Sequence, residues 1–409
     1  MIRILFVDDE PQLLNGLRRM LRSRRGQWEM SFAAGAEEAL AILRQSPMDV
    51  IVTDMRMPGM DGAALLAAVN DRFPGVIRIV LSGYHDRDAG IRAATVAHHF
   101  LNKPCTPEDL QDAIERAILS VDALRDEPMR CVVNAVGALP SLPANCAALL
   151  RAIEDPATSV ASVAKAIARD VGALAKVLQL ANSAFFCQRR EVNDAVSAVS
   201  VLGLETVKQL VVSAEVFKTF QPPFPLPHFS LERFDRHCHL TGAIANGLMT
   251  GTAISGLSVT AAVLHDAGKL VLAKRFPERY SRVCAASWRE DRPLHWAEQE
   301  EFGASHAEIG ACLLDMWGLP VAAVDAIRNH HSHAVPKGAE PQASSITAPR
   351  ELDVRSAVQI ANALANECAA TMSGGLASAP LGLDMEALAV LGCDPRIPAW
   401  RAMARRLAI

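Results

Sequence analysis

The chain has 409 residues, a formal net charge of −4, 50% apolar residues and 21% charged residues. That length predicts two or three domains, and the composition predicts a sizeable core rather than disorder. The small net charge gives no electrostatic case for nucleic acid or an anionic membrane as partner. Nine cysteines without a C-x-x-C pair read as small core residues in a reducing compartment, not as a disulfide or zinc framework. Asp8 and Asp9 come too early for a signal peptide, and no apolar run reaches about 18 residues without a charge. A cytoplasmic protein with no membrane span is the expectation.

Residues 1–125 alternate short apolar strands with amphipathic helical patterns. The strands are expected at Ile2–Val7, Glu29–Ala33, Val50–Thr53, Val76–Leu81 and His99–Leu101. The helices are expected at Pro11–Arg24, Ala36–Gln45, Gly62–Arg72, Asp86–Thr95 and Pro107–Leu124. Five βα units predict an α/β fold, a doubly wound five-stranded parallel sheet. Parallel strands present their carboxyl ends on one edge. Asp8 and Asp9 follow the first strand, Asp54 ends the third, Ser82 follows the fourth and Lys103 follows the fifth. Asp54 alone is either a cap on the next turn or a chemical group. With two more carboxylates, a hydroxyl and an ammonium beside it, the set suits Mg²⁺ and a phosphoryl group arriving at Asp54.

This pattern resembles a response-regulator receiver domain with a flavodoxin-like sheet. The resemblance implies that Asp54 is the phosphoacceptor and that Asp8, Asp9, Asp54 and the Arg56 backbone carbonyl hold Mg²⁺. It further implies that Ser82 and Lys103 contact the phosphoryl oxygens and that Phe100 is the switch aromatic. Phosphorylation of such a domain biases a two-state surface around the fourth helix and fifth strand.

Residues 126–135 read as a short linker, with the preceding helix running into it. From Val136 the pattern is helical. Leu139–Pro143 is a rigid lead-in, followed by helices over Ala144–Ile153, Val160–Arg169, Val171–Ala181, Ala195–Leu202 and Glu205–Phe217. Ser159 and Asp170 are expected N-caps. The proline-rich stretch at 221–229 marks a subdomain break or exposed loop. The run Leu142-Pro…Asp155-Pro…Arg169-Asp170…Leu178-Gln-Leu-Ala-Asn182-Ser183…Leu202-Gly203 resembles the opening half of an HDOD domain. That helical output domain is related to the HD-type metal phosphohydrolases, and the resemblance spans residues 136–370. Asn182-Ser183 reads as a helix C-terminus. Residues 371–409 form a C-terminal extension with helices at Met385–Leu391 and Ala399–Leu407, in which Arg401, Arg405 and Arg406 make a solvated face.

Nine of the twelve histidines lie beyond the first domain. His265 and Asp266 sit within an apolar helix, Val259–Leu272, and adjacent residues share one helix face poorly unless they reach metal from different angles. His306 falls in a helix Glu301–Leu314, and His330 and His331 end the helix Val321–His331. Imidazole with carboxylate suits zinc, iron or manganese. The resemblance to HD hydrolases implies a ligand set of His237 (or His239), His265, Asp266, His306, His330 and His331. Asn362 stands where the final aspartate of that family belongs, and no Gly-Tyr-Pro motif follows His331. Three roles stay open for these residues: packing in a polar seam, metal binding, or phosphoester hydrolysis. Lys269 reads as a solvated lysine at a helix end. Together the resemblances imply a two-component response regulator. A sensor histidine kinase would phosphorylate Asp54, and the HDOD domain would signal to an unidentified output protein, with a phosphorylation-dependent homodimer as a further expectation. The rival expectation is a phosphorylation-gated metal phosphodiesterase acting on a nucleotide or cyclic dinucleotide.

Overall fold

The strands β1 (Ile2–Val7), β2 (Trp28–Ala33), β3 (Val50–Asp54), β4 (Ile77–Ser82) and β5 (His99–Asn102) form one parallel sheet in the order β2-β1-β3-β4-β5. The computed structural model describes residues 1–83, 92–93, 96–124, 127–137, 139–140, 143–155, 158–183, 186, 191–212, 226, 228–332, 352–372, 383, 385, 388 and 393–408. Every residue of β3 and β4 is buried, as a central strand covered by helices on both faces requires. The expected helix Asp86–Thr95 lies outside the described residues except for Arg92 and Ala93.

The helices on the sheet are α1 (Pro11–Met20), α2 (Ala36–Gln45), α3 (Gly62–Arg72) and α4 (Pro107–Asp122). Pro11 takes a first-turn position, where a missing N–H costs nothing. A capping box at Thr106 and Asp109 starts α4 three residues after Lys103, so the lysine and the helix are joined by a short, ordered turn.

The expected linker is itself a helix, α5 (Glu127–Asn134), packed on α4 and on the edge of the sheet. Its last carbonyl explains why. Arg78 of β4 is fully buried, and its Nη2 donates to Asn134 O at 2.6 Å. His98 Nδ1 accepts from Arg78 N at 3.1 Å, which leaves His98 Nε2 to donate to the same carbonyl at 2.8 Å. Burial lowers the Arg78 pKa to about 9.

The helical domain continues with α6 (Pro143–Glu154), α7 (Val160–Ile167), α8 (Val171–Ala181), α9 (Ala195–Leu202) and α10 (Leu204–Val212). Ser159 and Asp170 cap α7 and α8 as expected, accepting from Ser162 N and Ala173 N. Asn182 ends α8, and its amide bonds both the N and O of Val192. Residues 221–225 and 227 of the proline-rich stretch lie outside the described residues, as do 213–220. Next come α11 (Leu231–Met249), α12 (Ser255–Leu264), α13 (Ala267–Arg275), α14 (Pro277–Arg289), α15 (Leu294–Phe302), α16 (His306–Met316), α17 (Val321–Arg328), α18 (Val354–Met372) and α19 (Ile397–Ala408).

Three boundaries at the histidines differ from the sequence expectation. The single helix Val259–Leu272 is broken into α12 and α13, with His265 and Asp266 at the junction. The single helix Glu301–Leu314 is two helices. Gly303 in the left-handed region (φ 71°) closes α15, and a Ser305–Glu308 capping box opens α16 at His306. The helix over 321–331 stops at Arg328, leaving His330 and His331 on the following turn. The tail folds onto the helical domain, where Arg401 pairs with Glu367 at 2.8 and 2.9 Å from a partly exposed position; Arg405 and Arg406 are exposed. Among the described residues, one helical stretch, Ser255–Arg275, is long and apolar enough to cross a membrane, and 78% of its most apolar window is buried inside the protein.

Candidate functional sites

The first site is the carboxyl edge of the sheet. Asp54 ends β3 and is 8% exposed; Asp8 follows β1 and is 2% exposed. Lys103 Nζ lies 2.7 Å from Asp8 Oδ2 and also pairs with Asp54 Oδ1. The free oxygens are oriented by backbone: Arg56 N donates to Asp54 Oδ2 at 2.8 Å, and Glu10 N donates to Asp8 Oδ1 at 2.9 Å. Ser82 is buried at the end of β4, and Phe100 is buried on β5. Asp9 is half-buried beside Asp8. Burial opposes the charge of Lys103, but hydrogen bonds and charge from Asp54 and Asp8 outweigh it and raise its pKa. The site thus gathers three carboxylates, a hydroxyl and a committed ammonium on one edge. The oxygen donors fit Mg²⁺, which takes one or two carboxylates and keeps several waters.

The second site lies where α11, α12, α13, α16 and the turn after α17 meet. Asp266 is its centre. His306 Nε2 is 3.1 Å from Asp266 Oδ1, His330 Nε2 is 3.6 Å from the same oxygen, and His265 Nε2 is 3.4 Å from Oδ2. His237 Nε2 is 3.2 Å from His265 Nε2, and His331 Nε2 is 2.9 Å from His306 Nε2. Two groups of possible ligands share Asp266: His306, His330 and His331 on one side, His237 and His265 on the other. All the expected ligands therefore converge. The choice between His237 and His239 falls to His237, because His239 turns away to Asp235 and the Arg169 carbonyl.

Three of the imidazoles are held by a partner behind them. His265 Nδ1 donates to Ala262 O at 2.6 Å, His330 Nδ1 to Ile327 O at 2.7 Å, and His306 Nδ1 to Glu298 Oε2 at 2.5 Å. Each bond holds its ring in place and turns Nε2 toward Asp266, the arrangement expected of metal-ligating histidines. Buried polar atoms without a hydrogen bond include Asp266 Oδ1, His330 Nε2 and His331 Nδ1. Orphaned buried groups are costly, and two of these three lie at the centre of the cluster. The donor set and its orphans fit one or two transition-metal ions.

Sequence reasoning missed Glu298, which is fully buried in α15 and also accepts from His306 N at 2.8 Å and Tyr280 Oη at 3.2 Å. Its only signal was an acid eight residues before His306. His295, stacked on His331 with ring centroids 4.2 Å apart, was missed as well. Lys269 was misread: it is not solvated, and its Nζ bonds Asp266 Oδ2 at 2.6 Å. Burial opposes its charge, yet Asp266 raises its pKa. Burial also favours a neutral Asp266, but the neighbouring His265, Lys269, His306 and His330 hold it well below the usual carboxylate range. Asn362 of α18 is buried and meets the His237 side chain, the place where the related hydrolases need an aspartate. Residues 333–351, where the Gly-Tyr-Pro motif would fall, lie outside the described residues.

The two sites are linked across a polar interface. Arg116 of α4 donates to Asp315 Oδ1 of α16 from Nε at 2.7 Å and from Nη2 at 2.5 Å, and to Leu319 O at 2.7 Å. Ser120 Oγ donates to Asp315 Oδ2. Gln179 of α8 donates to Ala97 O at 3.2 Å, and Arg275 of α13 to Ala135 O at 2.8 Å.

Family models match this geometry in two blocks: a response regulator receiver domain at residues 4–115 and an HDOD domain at residues 139–333. The chain joins a receiver domain to an HDOD domain. An uncharacterized protein of Treponema pallidum (strain Nichols) is 27% identical over 220 residues, 53% of this chain and 42% of that protein. The hydrogenase transcriptional regulatory protein HoxA of Cupriavidus necator is 37% identical over 118 residues, covering 28% of this chain and 24% of HoxA. The chain thus spans less than half the length of these relatives. Among solved structures, the MmoQ response regulator of Methylococcus capsulatus str. Bath is 21% identical with a TM-score of 0.46, covering 62% of this chain and 98% of MmoQ. The signal receiver domain of an HD domain-containing protein from Pseudomonas fluorescens Pf-5 is 28% identical with a TM-score of 0.28, covering 29% of this chain and 94% of that domain.

Proposed function

We propose that this receiver–HDOD chain is a cytoplasmic two-component response regulator that is charged at Asp54 by a sensor histidine kinase and signals through its helical domain to a protein partner. The observation that carries this is the placement of Asp54 between Lys103 and the Arg56 N–H. An Asp54 oxygen attacks the phosphorus of the kinase's phosphohistidine, the P–N bond breaks, and the imidazole leaves with a proton from solvent. Lys103 and Ser82 then meet the phosphoryl oxygens. Asp8, Asp9, Asp54 and the Arg56 carbonyl would hold Mg²⁺, which when bound would supply further charge neutralisation. Acetyl phosphate with Mg²⁺ should label the protein and leave Asp54→Ala unlabelled. Persistent label in that variant would sink the assignment.

A second reading has its own support in the three oriented imidazoles around Asp266. In it, His237, His265, Asp266, His306, His330 and His331 hold zinc, iron or manganese. A metal bound there would supply Lewis-acid activation for phosphoester hydrolysis. Asn362 removes one carboxylate from that set, so metal binding outlasts efficient hydrolysis in our reading. Protein purified without chelator should contain metal that His265→Ala removes, and bis(p-nitrophenyl) phosphate should be turned over slowly or not at all. Rapid turnover lost in His265→Ala would make the helical domain an enzyme.

A further inference from the structure

A continuous path of direct contacts runs from the phosphoacceptor to the His-Asp cluster. Lys103 bonds Asp8 and Asp54 at one end. Three residues later, Thr106 caps α4, so a change in the lysine's bonding bears directly on that helix. Three turns along α4, Arg116 and Ser120 enclose both oxygens of Asp315. Asp315 lies near the end of α16, and the first residue of α16 is His306. Nine helical steps of about 1.5 Å separate them, roughly 14 Å of rigid rod.

The cluster end of α16 has no slack. A Cβ added to Gly268 of α13 would lie 2.0 Å from His306 O and 2.9 Å from Gly310 N, so the two helix backbones touch. Asp266 immediately precedes α13, and His306 opens α16. Sliding or tilting α16 must therefore change the 3.1 Å separation of His306 Nε2 from Asp266 and the 2.9 Å separation of His331 from His306. Packed helices shift between discrete arrangements rather than deforming smoothly.

We propose that metal occupancy of the His-Asp cluster and phosphorylation of Asp54 are linked through α16, with the Arg116–Asp315 pair as the point of coupling; this rests on the metal reading above. Linkage is reciprocal, so each event shifts the other by the same factor. The helical domain then reports metal status to the receiver as well as receiving its signal.

The test is zinc titration of the full chain in saturating Mg²⁺, with and without beryllium fluoride as the phosphoryl mimic at Asp54. The wild type should show a change in zinc affinity of about fivefold or more, and zinc should change the affinity for beryllium fluoride by the same factor. Arg116→Ala and Asp315→Asn should still bind zinc but with one affinity in both states. Circular dichroism melts check that both variants fold, and Arg116→Lys, which keeps the charge, should retain part of the response. Zinc binding with equal affinity in both wild-type states overturns the linkage alone, and so does a shift that survives in both Arg116→Ala and Asp315→Asn. Absence of zinc binding in either state overturns the metal reading and the linkage with it.

Discussion

Glu298 is the residue on which the geometry of the second site turns most sharply. It is an ionisable side chain with no exposure, and it bonds both the backbone and the imidazole of His306. A buried carboxylate needs such partners to remain charged. Burial lowers the proton affinity of His306, but the Glu298 charge, with Asp266 alongside, more than reverses this, and its pKa is raised. Glu298→Gln keeps the shape and one acceptor while removing the charge. It should lower zinc affinity by about 10–100-fold, the usual cost of losing a supporting carboxylate, as read by calorimetric titration. An unchanged affinity would mean that Glu298 only fills space. The contrast with Asp54 is instructive. Asp54 was legible because strand periodicity alone brings it to one edge with Asp8, Ser82 and Lys103. Glu298 and Lys269 were not, because an isolated charged residue reads as solvated unless the neighbouring helix is known.

At the level of elements, α8 shows how a helix can be found correctly and its use missed. Its bounds Val171–Ala181 match the expectation, yet Lys176 and Gln179 are buried with the rest of it. Lys176 Nζ bonds Gly137 O and Gln179 Oε1, both at 2.7 Å, and sits 5.0 Å from the Trp317 ring centre. Burial, followed by the Arg78 charge, lowers its pKa to about 7. An unfolded lysine titrates near 10.4 (about). Between those values the unfolded chain holds a proton that the folded chain has released, so this group's contribution to stability rises with pH. Below the lower value both states are charged and the burial penalty is fully felt. Urea unfolding from about pH 6 to pH 9 should therefore favour the wild type progressively over Lys176→Met. A constant difference would show that the lysine stays charged in the fold. The break between α12 and α13 was illegible for a related reason. The apolar pattern runs unbroken through His265 and Asp266, and only the demand that both reach one centre ends the helix there.

For the molecule as a whole, the five-stranded parallel sheet and the helices α1 to α4 packed on it followed from strand spacing and helical periodicity. The way the halves meet did not, because it depends on polar contacts between residues far apart in sequence, such as Arg116 with Asp315. The boundary after residue 125 also changes meaning. Arg78 and His98 share the Asn134 carbonyl, so α5 completes the receiver's hydrogen bonding although it lies beyond the last residue of the family match. A fragment of residues 1–137 should be more stable to urea than one of residues 1–125 by about 2–4 kcal/mol, from two lost charged or aromatic donors' partners and the uncovered edge. Equal stability would show that α5 is an ornament to the receiver rather than part of it.

That shared carbonyl also constrains how this architecture could be recombined. A receiver exchanged into another protein at the end of its sheet-covering helices would arrive with a buried guanidinium lacking one of its acceptors. The unit that can be inherited or grafted intact runs through Ala135, and it carries a contact with the helical domain along with it, the Ala135 carbonyl that Arg275 bonds. Any new output module joined to this receiver must therefore accept α5 as a fixed docking piece, which narrows the set of partners that could replace the HDOD domain without rebuilding the joint.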